Sequence, residues 1–457
     1  MNINRAIARI GTIFIVAYAI LFARQLYVAV IDGPRLAANV HNPRAALIAP
    51  YRGTIVARDG SVLARSNARG RVYPLGAAAA HAVGYASARY GTAGLEAVFD
   101  RELAPRAAAN DPLSEIVRLV RRERPAVAVR GGTVVTTIDP VVQRTLYEAL
   151  AAYPRAAGVA LDPRSGEVLA IASVPSFDPN EVDRTFARIV SDPQSPLLDR
   201  ATDGLYPPGS TFKIVTASAA LEAGVVTPAS RFEDSGTLPV GTFVVHDDEG
   251  EATGNQDLTG AFAKSSNVDF AQIALRLGAD RWVDQVARWD IGGALGFTLP
   301  ASADRVPARA DLSPGVLAQL GFGQANLLVT PLRMALVAAT VASGGSEPRP
   351  TLVRAAPAPL ATPISVETAG TLSDMMVAVV RRGTGFEAAL DGATVAGKTG
   401  TATVAAGTSH AWFVAFAPAG APRVAVAIVV ENAGYGGAVA APIARRVIAA
   451  ALARDHG

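Results

Sequence analysis

Pro207-Pro208-Gly209-Ser210 stands just before Lys213 and the apolar run 214–221, and this stretch leaves the chain little conformational freedom. The two prolines and the glycine force a turn, the alanine-rich run propagates a helix, and Gly224 is placed to stop it. A helix apolar on every side must be buried. The chain therefore has to build a core around this segment while Ser210 opens it. Residues three apart on a helix share a face, so the Ser210 hydroxyl and the Lys213 amine can meet, next to the partially positive helix N-terminus. A serine hydroxyl is a weak nucleophile until a neighbouring base takes its proton. An amine is such a base only when burial has stripped its own.

Taken alone, the Ser-x-x-Lys spacing also fits a helix-capping serine beside a solvated lysine. Composition decides against that. The chain has 42 Lys plus Arg, yet only Lys213, Lys264 and Lys398 are lysine. Arginine stays protonated in proteins, whereas a buried lysine can lose its proton, so lysine is retained where a fixed charge will not do. Lys264 precedes Ser265-Ser266-Asn267, and Lys398 opens Lys398-Thr399-Gly400-Thr401. All three lysines thus adjoin hydroxyl clusters. On a strand, Thr399 and Thr401 would alternate onto one face and, with Lys398, suit a carboxylate. Ser265 supplies a hydroxyl that can relay a proton, and Asn267 an amide that both donates and accepts. Either Ser265 or Asn267 could instead cap the helix that starts near Val268. Lys264 acquires no role.

Ser-x-x-Lys, Ser-x-Asn and Lys-Thr-Gly in this order resemble the signature of the penicillin-binding proteins and serine β-lactamases. Tyr51-Arg52-Gly53-Thr54-Ile55, Gly94-Leu95-Glu96, Thr137-Ile138-Asp139, Pro175-Ser176-Phe177-Asp178-Pro179-Asn180, Gly321-Phe322-Gly323-Gln324 and Thr330-Pro331-Leu332 narrow the resemblance. The chain is identified as a class B penicillin-binding protein, most similar to the short actinobacterial type A members. The resemblance implies an α+β transpeptidase fold, an antiparallel sheet with a helical subdomain, preceded by a small β-rich pedestal and one transmembrane helix. It also implies that Ser210 attacks the D-alanyl-D-alanine end of a peptidoglycan stem peptide with Lys213 as base. Ser265 would pass the proton to the leaving D-alanine, and Asn267 would orient Lys213 and the substrate amide. Lys398, Thr399, Gly400 and Thr401 would bind substrate, with the lysine and both threonine hydroxyls on the carboxylate. The backbone N–H groups of Ser210 and Thr401 would form the oxyanion hole. β-Lactams become covalent inhibitors, a SEDS-family glycosyltransferase of the RodA or FtsW type becomes the expected partner, and no cofactor is implied. Two other functions remain open: a carboxypeptidase or β-lactamase that hands the acyl group to water, and a non-catalytic scaffold that activates a membrane glycosyltransferase.

The remaining sequence frames the site. At 457 residues the chain has room for two or three domains. The absence of cysteine removes disulfides and thiolate sites. A net charge of +3 with scattered arginines gives nucleic-acid binding no support. Residues 10–31 are apolar apart from Arg24 and Gln25 and suit one membrane anchor. No small-x-small cleavage site follows, so the anchor is expected to stay, and the resemblance puts residues 1–9 in the cytoplasm and the rest outside. Residues 39–130 are expected to form the pedestal, with a hairpin at Arg58-Asp59-Gly60 and a basic helix at 112–124. Residues 131–457 are expected to form the catalytic domain, which opens with a strand at 134–138. A hairpin at 158–172 and strands at 395–403, 412–416 and 424–430 should assemble one sheet from both ends of this domain, closed by a helix at 441–454. Helical patterns fall at 268–277, 281–289, 332–342 and 366–382. The five histidines, His41, His81, His246, His410 and His456, show no metal-ligand spacing.

Overall fold

The N-terminal apolar run folds as α1 (Ile3–Tyr27), seven residues earlier than hydropathy places its start. The computed structural model describes residues 3–27, 52–105, 130–247, 251–356, 358–404 and 407–454, so positions 28–31 of the expected anchor and the expected helix at 112–124 lie outside the described residues. At 1.5 Å per residue, α1 is about 38 Å long, and Ile10–Gln25 form its apolar part. Ile13, Phe14, Ile15, Tyr18 and Phe22 all stand exposed along it.

Strands β1 (Thr54–Val56) and β2 (Val62–Asn67) pair antiparallel around Arg58-Asp59-Gly60, as the turn residues require, and β3 (Gly70–Val72) extends the pair. The fourth strand, β4 (Thr133–Val135), runs parallel to β1 with Thr54 opposite Thr133. The sequence suggests that this strand opens the catalytic portion, whereas it completes the N-terminal sheet. Backbone contact permits this: a Cβ on Gly53 would lie 1.9 Å from the Gly132 carbonyl oxygen, so the missing side chain at Gly53 lets the two segments run side by side. Glu96, fully buried, receives Arg52 and Arg71 at 2.6 Å each and the Tyr73 hydroxyl at 3.2 Å. The Arg-Gly and Gly-Leu-Glu motifs thus meet in one ion-paired cluster, which satisfies charges that burial would otherwise penalise.

Asp139 caps α2 (Pro140–Leu150), and the chain then forms the hairpin β5 (Ala156–Leu161) and β6 (Val168–Val174). The helical middle follows: α3 (Lys213–Glu222), then β7 (Arg231–Asp234), β8 (Thr237–Val240), β9 (Phe243–His246) and β10 (Gly254–Asp257) as two small antiparallel pairs, β7 with β10 and, between them in the chain, the hairpin β8 with β9. Helices α4 (Leu258–Lys264), α5 (Asn267–Leu277), α6 (Ala279–Arg288), α7 (Pro314–Leu320), α8 (Pro331–Ala342) and α9 (Val366–Arg382) complete it. The last strands are β11 (Ala396–Thr403), β12 (Ser409–Ala417) and β13 (Val424–Val430), and α10 (Gly436–Ala453) closes the fold.

The main sheet has the order β11-β12-β13-β5-β6, antiparallel throughout, with Lys398 opposite Val414 and Ile428 opposite Gly158. It is assembled from both ends of the domain, as the sequence suggests. Helices α2 and α10 cover one face, in a core that includes Leu146, Phe413, Ile428 and Val447, while α8 and α9 lie against the other. Strands buried on both faces read as continuous apolar runs instead of alternating ones, which is why these strands are so plain in sequence. The last helix begins at Gly436, five residues before the expected start. A Cβ there would lie 2.1 Å from the Trp412 carbonyl oxygen, so glycine lets the helix open tight against β12.

Candidate active site

The prolines and Gly209, at φ +53°, place Ser210 in a single tight turn (Gly209–Phe212) ahead of α3, not in the helix itself. Four hydrogen bonds pin that turn. Tyr206 N–H donates to Val329 O at 3.0 Å, Gly209 N–H to Gly323 O at 2.9 Å, the Trp412 indole to Pro207 O at 3.0 Å, and the Thr211 hydroxyl to Pro208 O at 2.7 Å. The Gly321-Phe322-Gly323-Gln324 motif thereby gains a physical meaning. A Cβ on Gly323, which sits at φ +76°, would approach the Gly209 carbonyl oxygen to 2.1 Å. Strand β11 packs on the other side of the turn, where a Cβ on Gly400 would lie 2.9 Å from the Thr211 methyl and 3.0 Å from Pro208 O. Gly400 therefore admits the strand to the serine turn, and the residues on either side of it face the cleft.

The Lys213 ammonium is fully buried. Its Nζ donates to Ser265 O at 2.5 Å, Asn267 Oδ1 at 2.9 Å and Ser265 Oγ at 3.3 Å, and lies 5.4 Å from the centre of the Phe270 ring. Lys398 is also fully buried; its Nζ donates to Ser265 Oγ at 2.8 Å and Thr399 O at 3.0 Å. One hydroxyl therefore bridges both lysines. Ser265 ends α4 at φ +66°, a left-handed conformation that disfavours a side chain by about 1–2 kcal/mol. Strain of this kind collects at functional sites. The cap of α5 goes to neither sequence candidate but to Ser266, whose hydroxyl accepts Asp269 N–H at 2.9 Å. Asn267 becomes the first helical residue and its amide is left for Lys213.

Ser210, Ser265, Thr399 and Thr401 line a cleft of about 390 Å³, with Lys264 and Tyr435 at its walls. Lys213 and Lys398 stand behind that wall and meet the cleft through the Ser265 hydroxyl, and Asn267 joins them through Lys213. Thr399 shares a hydrogen bond of 2.5 Å with Thr384, a lining residue that sequence reasoning missed although its setting between Gly383 and Gly385 marks a special loop. Lys264 is exposed and donates to Thr253 O at 3.1 Å. His410 accepts Asn432 N–H at 3.1 Å and packs edge-on against Tyr206, and burial lowers its pKa, so it is a neutral structural residue.

A second missed group lies behind Asn267. Burial, then contact with Asp234, pushes the Asp247 carboxyl up to about 7, against the pull of the Asn267 backbone amide. Burial also works to raise Asp234, but hydrogen bonds from Asp247, Thr253, Gly236 and Ser266 outweigh it and hold that carboxyl low, at about 2. Asp269 is raised by burial. Asp247 opens the acidic run Asp247-Asp248-Glu249, which in sequence looks like a solvated turn; only the long-range pairing reveals it.

A serine in a pinned turn, followed three residues later by a fully buried lysine that contacts a second serine hydroxyl, suits acyl transfer through a serine ester, and that is the class of protein the fold and the site define. Residues 156–449 match the penicillin binding protein transpeptidase domain, and residues 52–125 match the penicillin binding protein A dimerisation domain. The chain belongs to the class B penicillin-binding protein family. It is 35% identical to the peptidoglycan D,D-transpeptidase PbpA of Mycolicibacterium smegmatis, across 98% of this chain and 99% of that one. Identity to PbpA of Mycobacterium tuberculosis is 34% over the same shares. Among solved structures it resembles penicillin-binding protein A from M. tuberculosis as a penicillin G acyl-enzyme complex, with a TM-score of 0.78, 33% identity and coverage of 88% of this chain and 99% of that one. It also resembles Pseudomonas aeruginosa PBP2, with a TM-score of 0.78, 31% identity and coverage of 90% and 98%.

Proposed function

We propose that the protein is a peptidoglycan D,D-transpeptidase that crosslinks stem peptides through an ester on Ser210 and that β-lactams inhibit it by forming the same ester. The observation that carries this reading is the Ser265 hydroxyl bridging two fully buried lysines beside the pinned serine turn. Ser210 Oγ adds to the penultimate carbonyl of a D-alanyl-D-alanine terminus while Lys213 takes its proton. The negative charge that develops on the carbonyl oxygen falls to the backbone N–H groups of Ser210 and Thr401. One such donor is worth about 3–4 kcal/mol of barrier in comparable acyl transfers. Collapse breaks the C–N bond, and the departing D-alanine amine takes a proton through Ser265. The Thr399 and Thr401 hydroxyls hold the terminal carboxylate, and Lys398 supplies positive charge behind them. An amine from a second stem then attacks the ester and releases Ser210. A β-lactam acylates the same oxygen, but its amine stays tethered after ring opening, so no leaving group vacates the site.

The proposed organisation is a cytoplasmic tail (1–9), a membrane anchor (10–31), a pedestal from residue 39 and the catalytic domain to residue 457. Because β4 pairs into the N-terminal sheet, the pedestal takes in β4 and the catalytic domain starts near Pro140. The exposed apolar face of α1 supports a single-pass anchor; the proposed organisation adds a catalytic domain outside the cytoplasm and a SEDS-family glycosyltransferase of the RodA or FtsW type as partner. Incubation with a pentapeptide donor and an amine acceptor tests the activity. Crosslinked product with release of D-alanine is expected. Hydrolysed donor alone would make the enzyme a carboxypeptidase, and neither product would make it a scaffold.

A further inference from the structure

Strands β7, β8 and β9 pack against α5, and the end of β9 holds Asn267 in its first turn. Asp247, the first residue after β9, is nearly buried, and its Oδ1 accepts the backbone N–H of Asn267 and, at 3.3 Å, that of Val268. One residue earlier, the His246 carbonyl accepts Asn267 Nδ2 at 3.1 Å. A carbonyl cannot donate, so this bond decides which end of the Asn267 amide faces Lys213: the oxygen, 2.9 Å from Nζ. Behind this grip, Asp247 Oδ2 is buried and meets no N–H or hydroxyl donor among the described residues, while Asp234 accepts Gly236 N–H at 2.7 Å and Thr253 N–H and hydroxyl at 3.2 and 2.5 Å. Two buried carboxyls in contact do not both ionise cheaply. A proton on Asp247 gives the pair its missing donor.

We infer that Asp247 is a positioning residue which, as the proton-bearing member of a carboxyl pair with Asp234, locks Asn267 and through it Lys213 in the geometry that acylation requires. The inference rests on the reading of Ser210 as the acylated nucleophile. The charged groups facing Asp247 among the described residues are Asp234 on β7 and Lys213 on α3, and Asp269 on α5 faces the same two groups. The neighbouring β8 and α7 carry no charged residue, and Asp248 and Glu249, next in the chain, lie outside the described residues. With its pKa near 7, Asp247 keeps its proton below neutrality and the pair carries one negative charge. As pH rises through about 7 a second charge appears, repels Asp234 and draws a proton onto Lys213. Both changes oppose acylation.

The test is the rate of labelled-penicillin acylation, mapped to Ser210, from about pH 5 to about pH 9, with thermal unfolding alongside. Asp247→Asn keeps an acceptor for the Asn267 N–H and a donor toward Asp234 but cannot titrate. It is expected to retain most of the acylation rate at low pH and to lack the loss of rate that the wild type shows on passing through about pH 7. Asp247→Ala removes the grip and is expected to acylate at least roughly tenfold more slowly across the range. A pH profile in Asp247→Asn that superimposes on the wild type, or full-rate acylation by Asp247→Ala, would overturn the inference. Failure of the wild type to label at Ser210 would instead strike the proposed function.

Discussion

Replacing Lys213 with arginine separates two uses of a buried cation. The ammonium is fully buried and held by Ser265 O, Ser265 Oγ and Asn267 Oδ1 at 2.5, 3.3 and 2.9 Å. If those contacts serve only to present a positive charge, arginine reproduces the charge, and acylation should survive within a few fold. If Lys213 must lose its proton, arginine cannot substitute at any working pH. A well-placed general base contributes about a hundredfold to ten-thousandfold, or about 3–5 kcal/mol of barrier at 1.36 kcal/mol per tenfold. The bulkier guanidinium also overpacks a closed site, for about 1–3 kcal/mol of stability. The expected outcome is therefore a folded protein, native by circular dichroism and melting somewhat below wild type, whose stopped-flow acylation by labelled penicillin falls by at least a hundredfold. Lys264→Arg is the control, because that lysine is exposed and, among the described residues, donates to the Thr253 carbonyl alone. Robust acylation in Lys213→Arg would refute the neutral-amine mechanism and the explanation of why an arginine-rich chain kept lysine there.

Three further outcomes follow from specific contacts. If the Thr399 and Thr401 hydroxyls hold the substrate carboxylate, Thr399→Val and Thr401→Val each remove a charge-assisted bond worth about 1.5–3 kcal/mol, so acylation by substrates ending in a carboxylate should fall at least roughly tenfold; unchanged rates would remove both hydroxyls from carboxylate recognition. Gly323→Ala forces a Cβ to within 2.1 Å of Gly209 O and should disturb the serine turn, slowing acylation, whereas Gly224→Ala, equally left-handed but in open space, should lower the melting temperature alone; equal acylation in the two variants would contradict the buttress. Glu347 is buried against Arg333 at 2.9 Å, and burial raises its carboxyl to about 7 from an ordinary 4.5. The stability this carboxyl lends is therefore complete below about pH 4.5 and lost as pH rises through about 7, a change of roughly 3 kcal/mol. Urea unfolding of wild type and Glu347→Gln at acid and alkaline pH should show the variant gaining relative stability by about that amount, and a pH-independent difference would refute it.

The sequence made the site legible because its chemistry is concentrated in three lysines and the hydroxyls beside them, and because strands buried on both faces are written as unbroken apolar runs. What it hid depends on contacts between distant segments. Thr133–Val135 looks like the first strand of the catalytic portion, since nothing local shows that Gly53 and Gly132 will lie against each other. Ser265, Ser266 and Asn267 are all competent helix caps, and only the left-handed turn at Ser265 gives the task to Ser266 and leaves Asn267 for Lys213. Asp247 sits in an acidic run that has the composition of a solvated loop, so its pairing with Asp234 and its hold on Asn267 become visible only once the strand pairs are folded. The apolar anchor is plain from hydropathy, but its start is not, because helix propensity carries α1 back through the arginines that precede the apolar run.

The most direct measurement is the intact mass and peptide map of the protein after brief exposure to penicillin, for wild type and Ser210→Ala. The account requires a single adduct of one penicilloyl group, located on the peptide that contains Ser210, and none in the variant. An adduct on another residue, or an adduct that persists in Ser210→Ala, would contradict it.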